Sequence, residues 1–338
     1  MVQARGPWAS AWLRLRRDRW SMVALAALAV VILLSLFGGA VATRALGHDG
    51  QRPFPYATRG ETLRPVGPWT RVPATDQVIV DEYGNVLPPK HAKRTLFVFG
   101  SDGPLGRDEL IRLLDGGRTS LEVGIGAVLF ALLVAIPVGC AAGYYRGAVD
   151  AVVSRFTETI MAFPLLLFLV FTTAKLGPTL SQVNYSWLLP KGVFTDAVLI
   201  GLFTSFYPTR LIRAQLLTLR NAEFVDSAHM IGASDWRILR RHLLPHLVPT
   251  LLVWGAIAVA TNILLEVSLS FIGVGVEPSV PTWGSMLATI WGTIYSPKLQ
   301  NPVWWQTILP TTGILITVVS LNQLSEGIRR AIEPWSRR

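Results

Sequence analysis

Long apolar runs without a single charged residue constrain this chain more than any other feature of its sequence. A helix needs about 20 apolar residues to cross the roughly 30 Å hydrocarbon core of a bilayer. Charge-free runs occupy residues 21–42, 123–145, 247–265 and 299–325, and shorter ones occupy residues 159–174 and 197–209. Because backbone polar groups inside lipid must be paired within the segment, these runs predict an all-α polytopic membrane bundle of about six transmembrane helices.

Composition supports a membrane protein and argues against other classes. Only 15% of the 338 residues are charged, against about a quarter in soluble domains. The net charge of +10 would suggest nucleic acid as the partner of a soluble protein. Here the basic residues flank apolar runs, so we expect contact with membrane lipid and no nucleic-acid partner. The single cysteine, Cys140, excludes an intrachain disulfide and a CxxC metal site, and no cofactor is expected.

Residues 278–297 form another charge-free stretch and are the alternative seventh span. They include Pro278, Pro281, Gly284 and Gly292. This composition favours an interfacial or re-entrant segment packed against protein, so we predict that the stretch does not cross the membrane. Trp283, within it, is expected to be an interfacial anchor.

Charge asymmetry predicts the orientation. With six spans and a cytoplasmic N-terminus, the inside segments carry 17 Lys and Arg residues and the short outside loops carry three. The positive-inside rule therefore places the tails, residues 1–20 and 329–338, in the cytoplasm of a cell whose inner or plasma membrane holds the protein. A seventh span would move four C-terminal arginines outside, against this rule.

The first run, residues 21–42, is either an uncleaved first transmembrane helix or a signal peptide. Residues 40–42 mimic a cleavage site, but the run is longer than a signal core, which favours the anchor. A proline-rich extracytoplasmic insert, residues 43–118, follows, with a strand and turn expected near residues 78–85. It either contacts a partner outside or is a tolerated insertion. The remaining transmembrane domain spans residues 119–328.

Residues 210–246 form a basic cytoplasmic loop with helical patterning. Phe224, Ala228 and Ile231 recur at the spacing of one helical face. Gly232 is a favourable helix stop, because glycine adopts a left-handed backbone without steric cost. Ser234 is then expected to cap a second helix.

That second helix is predicted to bring Trp236, Leu239 and Leu243 together and to end near Pro245. The resulting apolar face fits either a groove of a partner protein or the headgroup layer of the membrane. The residues alone leave both alternatives open.

The loop resembles the EAA loop of ABC importer permeases, which reads Glu-Ala-Ala, three residues, Gly, nine residues and Ile-x-Leu-Pro. Residues 226–228, Asp-Ser-Ala, stand in the Glu-Ala-Ala place, and Gly232 and residues 244–245, Leu-Pro, match at the same spacing. Asp226 and Ser227 depart from the usual Glu and Ala, and His242 stands where Ile is usual.

Further motifs resemble the C-type permeases of dipeptide, oligopeptide and nickel importers. Together they cover residues 99–334 and leave the insert, residues 43–98, largely outside the resemblance. They lie at residues 99–102, 105–108, 117–121, 143–147, 162–164, 266–275, 281–286, 321–327 and 331–334.

This resemblance implies a type I ABC importer and its partners. The chain would be one permease paired with a second permease, in most cases a different chain, together with two ABC ATPase subunits and an extracytoplasmic solute-binding protein. The chain has no Gly-x4-Gly-Lys-Ser/Thr phosphate loop, so it is expected not to be an enzyme and to leave ATP hydrolysis to partners. Peptides are the leading cargo, and nickel or another small solute is the alternative.

The resemblance also implies which residues couple the chain to its ATPase. They are Glu223, Phe224, Asp226, Ala228, Ile231, Gly232, Leu244 and Pro245. Polar residues inside the membrane are candidates for function by default. Asn262 and Glu266, one turn apart, either line the translocation path or brace helices.

Two other classes of function fit the sequence less well. A secondary transporter or channel independent of ATP would need buried charged relays within the helices, and this chain carries few charged residues away from the helix ends. An intramembrane enzyme would need a nucleophile elbow, an HExxH helix or paired aspartates, and none of these motifs is present.

Overall fold

The computed structural model of the chain describes residues 7–59, 64–75, 79–80, 86–87, 93–103, 105–181, 192–277, 279–294 and 303–336. Its helices are α1 (Pro7–Arg17), α2 (Arg19–Leu33), α3 (Gly39–Leu46), α4 (Glu109–Tyr145), α5 (Gly147–Met161), α6 (Leu165–Ser181), α7 (Val193–Thr204), α8 (Phe206–Leu219), α9 (Glu223–Met230), α10 (Asp235–Ile238), α11 (Leu244–Ile272), α12 (Trp283–Ile294) and α13 (Trp304–Ser336). Its strands are β1 (Thr58–Arg59), β2 (Arg64–Pro65), β3 (Thr70–Pro73), β4 (Ile79–Val80), β5 (Val86–Leu87) and β6 (Arg94–Phe97).

Four helical rods in the described residues are long and apolar enough to cross a membrane. They are Arg19–Leu46, Glu109–Tyr145, Asp235–Ile272 and Trp304–Ile332. The pair α5 and α6 makes a fifth candidate, although it bends by 89° at its break. Helix α7 is shorter and continues into α8 through Ser205. The predicted all-α polytopic bundle is therefore confirmed.

The first rod is built from α2, a π-helical turn at Leu34–Gly38, and α3. Asp18 caps its start by accepting from the backbone N–H of Trp20 and from the Ser21 hydroxyl. The Ser21 hydrogen bond, aided by Arg330, holds the pKa of Asp18 below its usual value. Arg330 reaches Asp18 at 3.1 Å, and α1 packs on α13, so the two ends of the chain lie at the same end of the bundle.

Two predicted spans differ from the structure, one by an internal break and the other at its start. The predicted helix at residues 159–174 is wrong as a single helix, because α5 ends at Met161 and α6 begins at Leu165. Pro164 explains the break, since a proline disfavours helical backbone at the preceding residue and clashes with the previous turn. Helix α4 begins at Glu109, 14 residues before the apolar run, where Asp108 accepts from two backbone N–H groups.

The stretch predicted not to span forms α12, which has 12 residues and is too short to cross. It packs against α4, α11 and α13. Trp283 is not the interfacial anchor that was expected. It is 3% exposed, and its indole N–H donates to the Leu113 carbonyl at 3.1 Å, so it fills the bundle interior.

The described part of the insert contains three two-stranded antiparallel sheets, β1–β2, β3–β6 and β4–β5. The last of these confirms the strand predicted near residue 79, and its turn residues lie outside the described set. Phe54, Val72 and Phe97 form the apolar core of the insert. The Ser101 carbonyl accepts from Trp305 and Gln306 of α13 at 3.2 and 3.1 Å, which fixes the insert to the bundle.

Helix α4 is the centre of the bundle and contacts α7, α8 and α11. Small residues allow this approach. A Cβ added at Gly143 would lie 2.8 Å from the Cβ of Leu216, and one at Gly139 would lie 2.9 Å from that of Ile212. Membrane helices associate through such close contacts because lipid provides no hydrophobic force between them.

We expect Gly143→Ala to destabilise the bundle by about 1–3 kcal/mol, because its methyl group would overlap α8. Gly255→Ala is the matched control, since its added Cβ would meet Val128 at an ordinary 3.8 Å. Thermal melting of the purified chain in detergent should show a lower midpoint only for Gly143→Ala. Equal midpoints would contradict the packing of α4 on α8.

Candidate functional site

The loop between α8 and α11 contains the predicted glycine break. Helix α9 ends in a Schellman motif, in which the Gly232 N–H donates to the His229 carbonyl at 2.9 Å and the Ala233 N–H to the Ala228 carbonyl at 3.0 Å. Gly232 has φ +79°, and open space surrounds the position that its Cβ would occupy. The helix, glycine break and second helix are confirmed.

The second helix does not end near Pro245, so that prediction is wrong. Helix α10, a π-helical turn at Leu239–Leu243, and α11 form one continuous rod, Asp235–Ile272. Pro245 lies at the start of α11, where its missing N–H costs little because the π-helical turn precedes it. Ser234 lies at the N-cap position of α10, but its side chain makes no capping hydrogen bond.

One side of the loop is buried in its own subunit. Val225 and Ala228 of α9 pack with Leu239 and Leu243 in a cluster that also contains residues of α4 and α8. Ala228 is 5% exposed. The predicted face of Phe224, Ala228 and Ile231 is therefore divided, since Ala228 points into the bundle.

The other side presents large apolar residues to the surroundings. Met230, Ile231 and Trp236 are 81%, 85% and 67% exposed. Trp236 therefore does not join Leu239 and Leu243, as the sequence pattern had predicted. Phe224, at the edge of this surface, stacks on the His246 ring with centroids 5.3 Å apart. We call Phe224, Met230, Ile231 and Trp236 the exposed loop surface.

The other four residues predicted to couple the chain to an ATPase lie in α9 and at the start of α11. Glu223 and Asp226 are exposed in the first turn of α9, where carboxylates favour the helix dipole. Leu244 is half-buried and Pro245 is exposed.

Hydrogen bonds brace the loop against the bundle. The Tyr144 hydroxyl, near the end of α4, donates to Asp235 at 2.8 Å. The Arg220 guanidinium donates to the Tyr144 carbonyl at 2.9 Å, and the Gln215 amide donates to the Thr250 hydroxyl at 2.7 Å. The loop is thus tied to α4, α8 and α11.

The two polar residues of α11 differ in their contacts. Glu266 is fully buried, and its carboxylate accepts from the Ser120 hydroxyl of α4 and the Ser270 hydroxyl, both at 2.8 Å. These contacts favour bracing for Glu266. Asn262 is 1% exposed, and neither of its side-chain polar atoms has a hydrogen-bond partner in the described part of the chain.

Asn262 lines a cavity of about 560 Å³. Apolar and aromatic side chains of α6, α7 and α11, with the α5–α6 connection, form most of its wall; they include Phe163, Phe168, Phe203 and Trp254. Burying an amide without partners costs about 1–3 kcal/mol. Helix bracing through hydrogen bonds therefore does not account for Asn262.

Sequence reasoning missed three features of this region. Met230 has no signal in the motif, although it is among the most exposed apolar residues. Val225 carries no signal in the motif either, although it is 2% exposed and packs in the cluster beneath α9. Asp196 directly precedes the short apolar run at residues 197–209, yet it is 2% exposed within α7.

These observations define a polytopic helical membrane protein with a braced loop at the end of the bundle where its termini lie. Residues 135–338 match the family described as binding-protein-dependent transport system inner membrane component. Residues 6–63 match the N-terminal TM domain of oligopeptide transport permease C, which extends the family likeness into the start of the insert. The chain belongs to the binding-protein-dependent transport system inner membrane component family.

Curated relatives agree with this assignment. A peptide transport system permease protein of Brucella suis is 37% identical over 240 residues, covering 70% of this chain and 73% of the relative. A glutathione transport system permease protein of Pectobacterium atrosepticum is 32% identical, covering 68% and 70%. The glutathione transport system permease protein of Escherichia coli is 29% identical, covering 98% and 92%. A solved structure of the MetNI methionine ABC transporter has a TM-score of 0.48 and 17% identity, covering 66% of this chain and 95% of that chain.

The chain is accordingly a multi-pass inner-membrane permease subunit of an ABC importer and not an enzyme. In such an importer the ATPase is a separate subunit.

We expect Ala228→Leu to lower the stability of the subunit by about 1–3 kcal/mol, because the larger side chain overfills the cluster beneath α9. Ile231→Ala should change it by less than about 0.5 kcal/mol, since Ile231 lies at the surface. The thermal melting midpoints of the two purified variants in detergent measure these changes in stability. The opposite order would contradict the division of the loop into buried and exposed sides.

Proposed function

We propose that the chain forms half of the translocation path of an ATP-driven importer of peptides or related small solutes, and that residues 222–245 couple it to a separate ATPase. The observation that carries the proposal is the exposed loop surface on a loop braced to α4 and continuous with α11. Closure of the ATPases would displace α9, and the rod Asp235–Ile272 would carry that displacement across the membrane.

The charges on α9 favour a protein partner over lipid headgroups. A helix that lies on a membrane surface typically has Lys and Arg on its polar face. Helix α9 has neither, and instead carries Glu223, Asp226 and His229. Exposed Met and Ile at its end are the kind of anchors that enter an apolar groove of another protein. Within this proposal Phe224 and Ile231 are anchors, Gly232 permits the break, and Asp226 is a polar contact.

The partners follow from the same proposal. They are two ABC ATPases, a second permease of different sequence and an extracytoplasmic solute-binding protein. The loop and both termini lie in the cytoplasm, as the distribution of Lys and Arg supports. Peptide cargo is supported by relatives that are named for peptide and glutathione transport.

Asn262 is the proposed contact with cargo inside the membrane. Its amide carries both a donor and an acceptor and lies in the cavity between α6 and α11 without a described partner. A peptide unit offers the complementary acceptor and donor. The alternative, an importer independent of ATP, would retain uptake when the loop is disabled.

Gly232→Asp is expected to abolish uptake of radiolabelled trialanine while membrane insertion persists. The substitution places a charge beside Ile231 of the exposed loop surface and adds backbone strain at φ +79°. Gly232→Ala adds the strain without the charge, so it should retain substantial uptake. Co-purification of the ATPase reports docking directly. Normal uptake by Gly232→Asp would refute the coupling role of the loop.

Asn262→Leu should change trialanine uptake at least several-fold without altering assembly, because the apolar side chain removes both polar contacts. Ser268→Ala is the control, since the Ser268 hydroxyl is exposed on the same helix and bonds its own Leu264 carbonyl. Initial uptake rates in proteoliposomes measure the effect. Unchanged uptake by Asn262→Leu would assign Asn262 to packing alone.

A further inference from the structure

A second cavity, of about 430 Å³, opens at the insert end of the bundle. It lies between the end of α6, the start of α7 and the loop after α11. Its wall includes Thr173, Gly192, Thr195, Asp196, Gly273 and Glu277. The α7 and α11 sides meet closely, since a Cβ on Gly192 would lie 3.1 Å from the Glu277 nitrogen.

Asp196 lies in this cavity with an unsatisfied carboxylate. The residue is 2% exposed, and its Oδ2 has no hydrogen-bond partner within the described residues. Within the described residues Asp196 makes no ion pair with a basic side chain. A buried carboxylate without a counter-charge is costly, and within a membrane bundle it typically marks a path for cargo or ions.

Thr173 supplies an independent second observation. A threonine inside a helix commonly donates to the carbonyl four residues earlier, as Thr204 does to Ile200 at 2.8 Å. Thr173 is 3% exposed, lines the same cavity, and its hydroxyl has no partner among the residues described. The Thr173 hydroxyl of α6 and Oδ2 of Asp196 in α7 thus border the same cavity. Both oxygen atoms are buried and lack hydrogen-bond partners among the described residues.

The lining selects a cationic ligand with several N–H donors. Asp196 and Glu277 are the charged residues in the described wall, and both are acids. Glu277 is exposed, whereas Asp196 is buried. The cavity is far larger than a metal ion, and the described residues contain no cluster of three or more His, Cys, Asp or Glu side chains that could hold one. An ammonium group has three donors, which suit a carboxylate and a hydroxyl.

We propose that the cavity at Asp196 receives the cationic amino group of the cargo as it enters the permease. Asp196 provides the counter-charge and the Thr173 hydroxyl accepts a second N–H. The proposal rests on the peptide-import function above and restricts its cargo to solutes with a free amine. A free monovalent cation has the same charge, and the experiment distinguishes it from the cargo amine.

The test compares two probes, trialanine and N-acetyl-trialanine, which differ in the charge of the amino group. Uptake is measured in proteoliposomes that contain the complete importer with its binding protein. Asp196→Asn should lower trialanine uptake about 10-fold or more, the range expected for loss of a charged hydrogen bond. Uptake of N-acetyl-trialanine should change by less than about twofold, because its acetylated nitrogen carries no positive charge to pair with Asp196. Asp196→Glu should restore most trialanine uptake.

Thr173→Val should lower trialanine uptake by a smaller factor, whereas Thr172→Val should not. Thr172 is the matched control, since it is buried on the same helix at 8% exposure but does not line the cavity. Tryptophan fluorescence titration of the purified permease pair with both probes repeats the comparison without the selectivity of the binding protein. In this titration Asp196→Asn should weaken the binding of trialanine but not that of N-acetyl-trialanine.

Three outcomes would overturn the proposal. Equal losses for both probes, in uptake and in binding, would make Asp196 a packing residue. A loss that depends on sodium concentration and not on the probe would assign the cavity to a free cation. If Asp196→Asn kept the wild-type preference for trialanine over N-acetyl-trialanine, the amine would be recognised elsewhere. Absence of ATP-dependent trialanine uptake by the wild type would instead refute the peptide function itself.

Discussion

Close packing of α4 against its neighbours is the constraint on which the rest of the structure depends. Lipid does not drive helices together, so they associate where small residues let backbones approach. Gly139 and Gly143 provide that approach toward α8, and Gly124 provides it toward α11. The same helix holds the insert at its start through Asp108, which bonds His48 at 3.0 Å, and the loop at its end through Tyr144. The insert and the loop, at opposite ends of the bundle, are therefore both attached to one continuous helix.

The coupling loop gains its proposed function from this connection. An isolated amphipathic helix of eight residues would be marginal in water, and α9 is stabilised instead by burial of Val225 and Ala228 against α4 and α8. Burying one side leaves the other side, with Met230 and Ile231, exposed. The π-helical turn before Pro245 preserves the rod into α11. Displacement of the loop would thus move α11 as a body.

Polar groups inside the bundle divide according to whether their hydrogen bonds are satisfied. Glu266 joins α4 to α11 through two serine hydroxyls and has the geometry of a brace. Asn262 and Asp196 border cavities and keep polar atoms without partners in the described chain. Buried polar groups are normally paired, which is why the two unpaired side chains carry the proposals of a cargo contact. The wall of the Asn262 cavity is mainly apolar, whereas the charged residues in the described wall of the Asp196 cavity are both acids.

Charge-free runs and the glycine at position 232 were sufficient to predict the helical membrane class, the major spans and the break in the loop, because length and backbone freedom are local properties. The break between α5 and α6 had a local signal in Pro164 that the apolar run concealed. Which side of α9 is buried, and where Trp236 points, could not be predicted, because helical periodicity does not say which neighbour a face will meet. The isolation of Asn262 and Asp196 is likewise a tertiary property, since a side chain lacks a partner only with respect to every helix that folding brings around it.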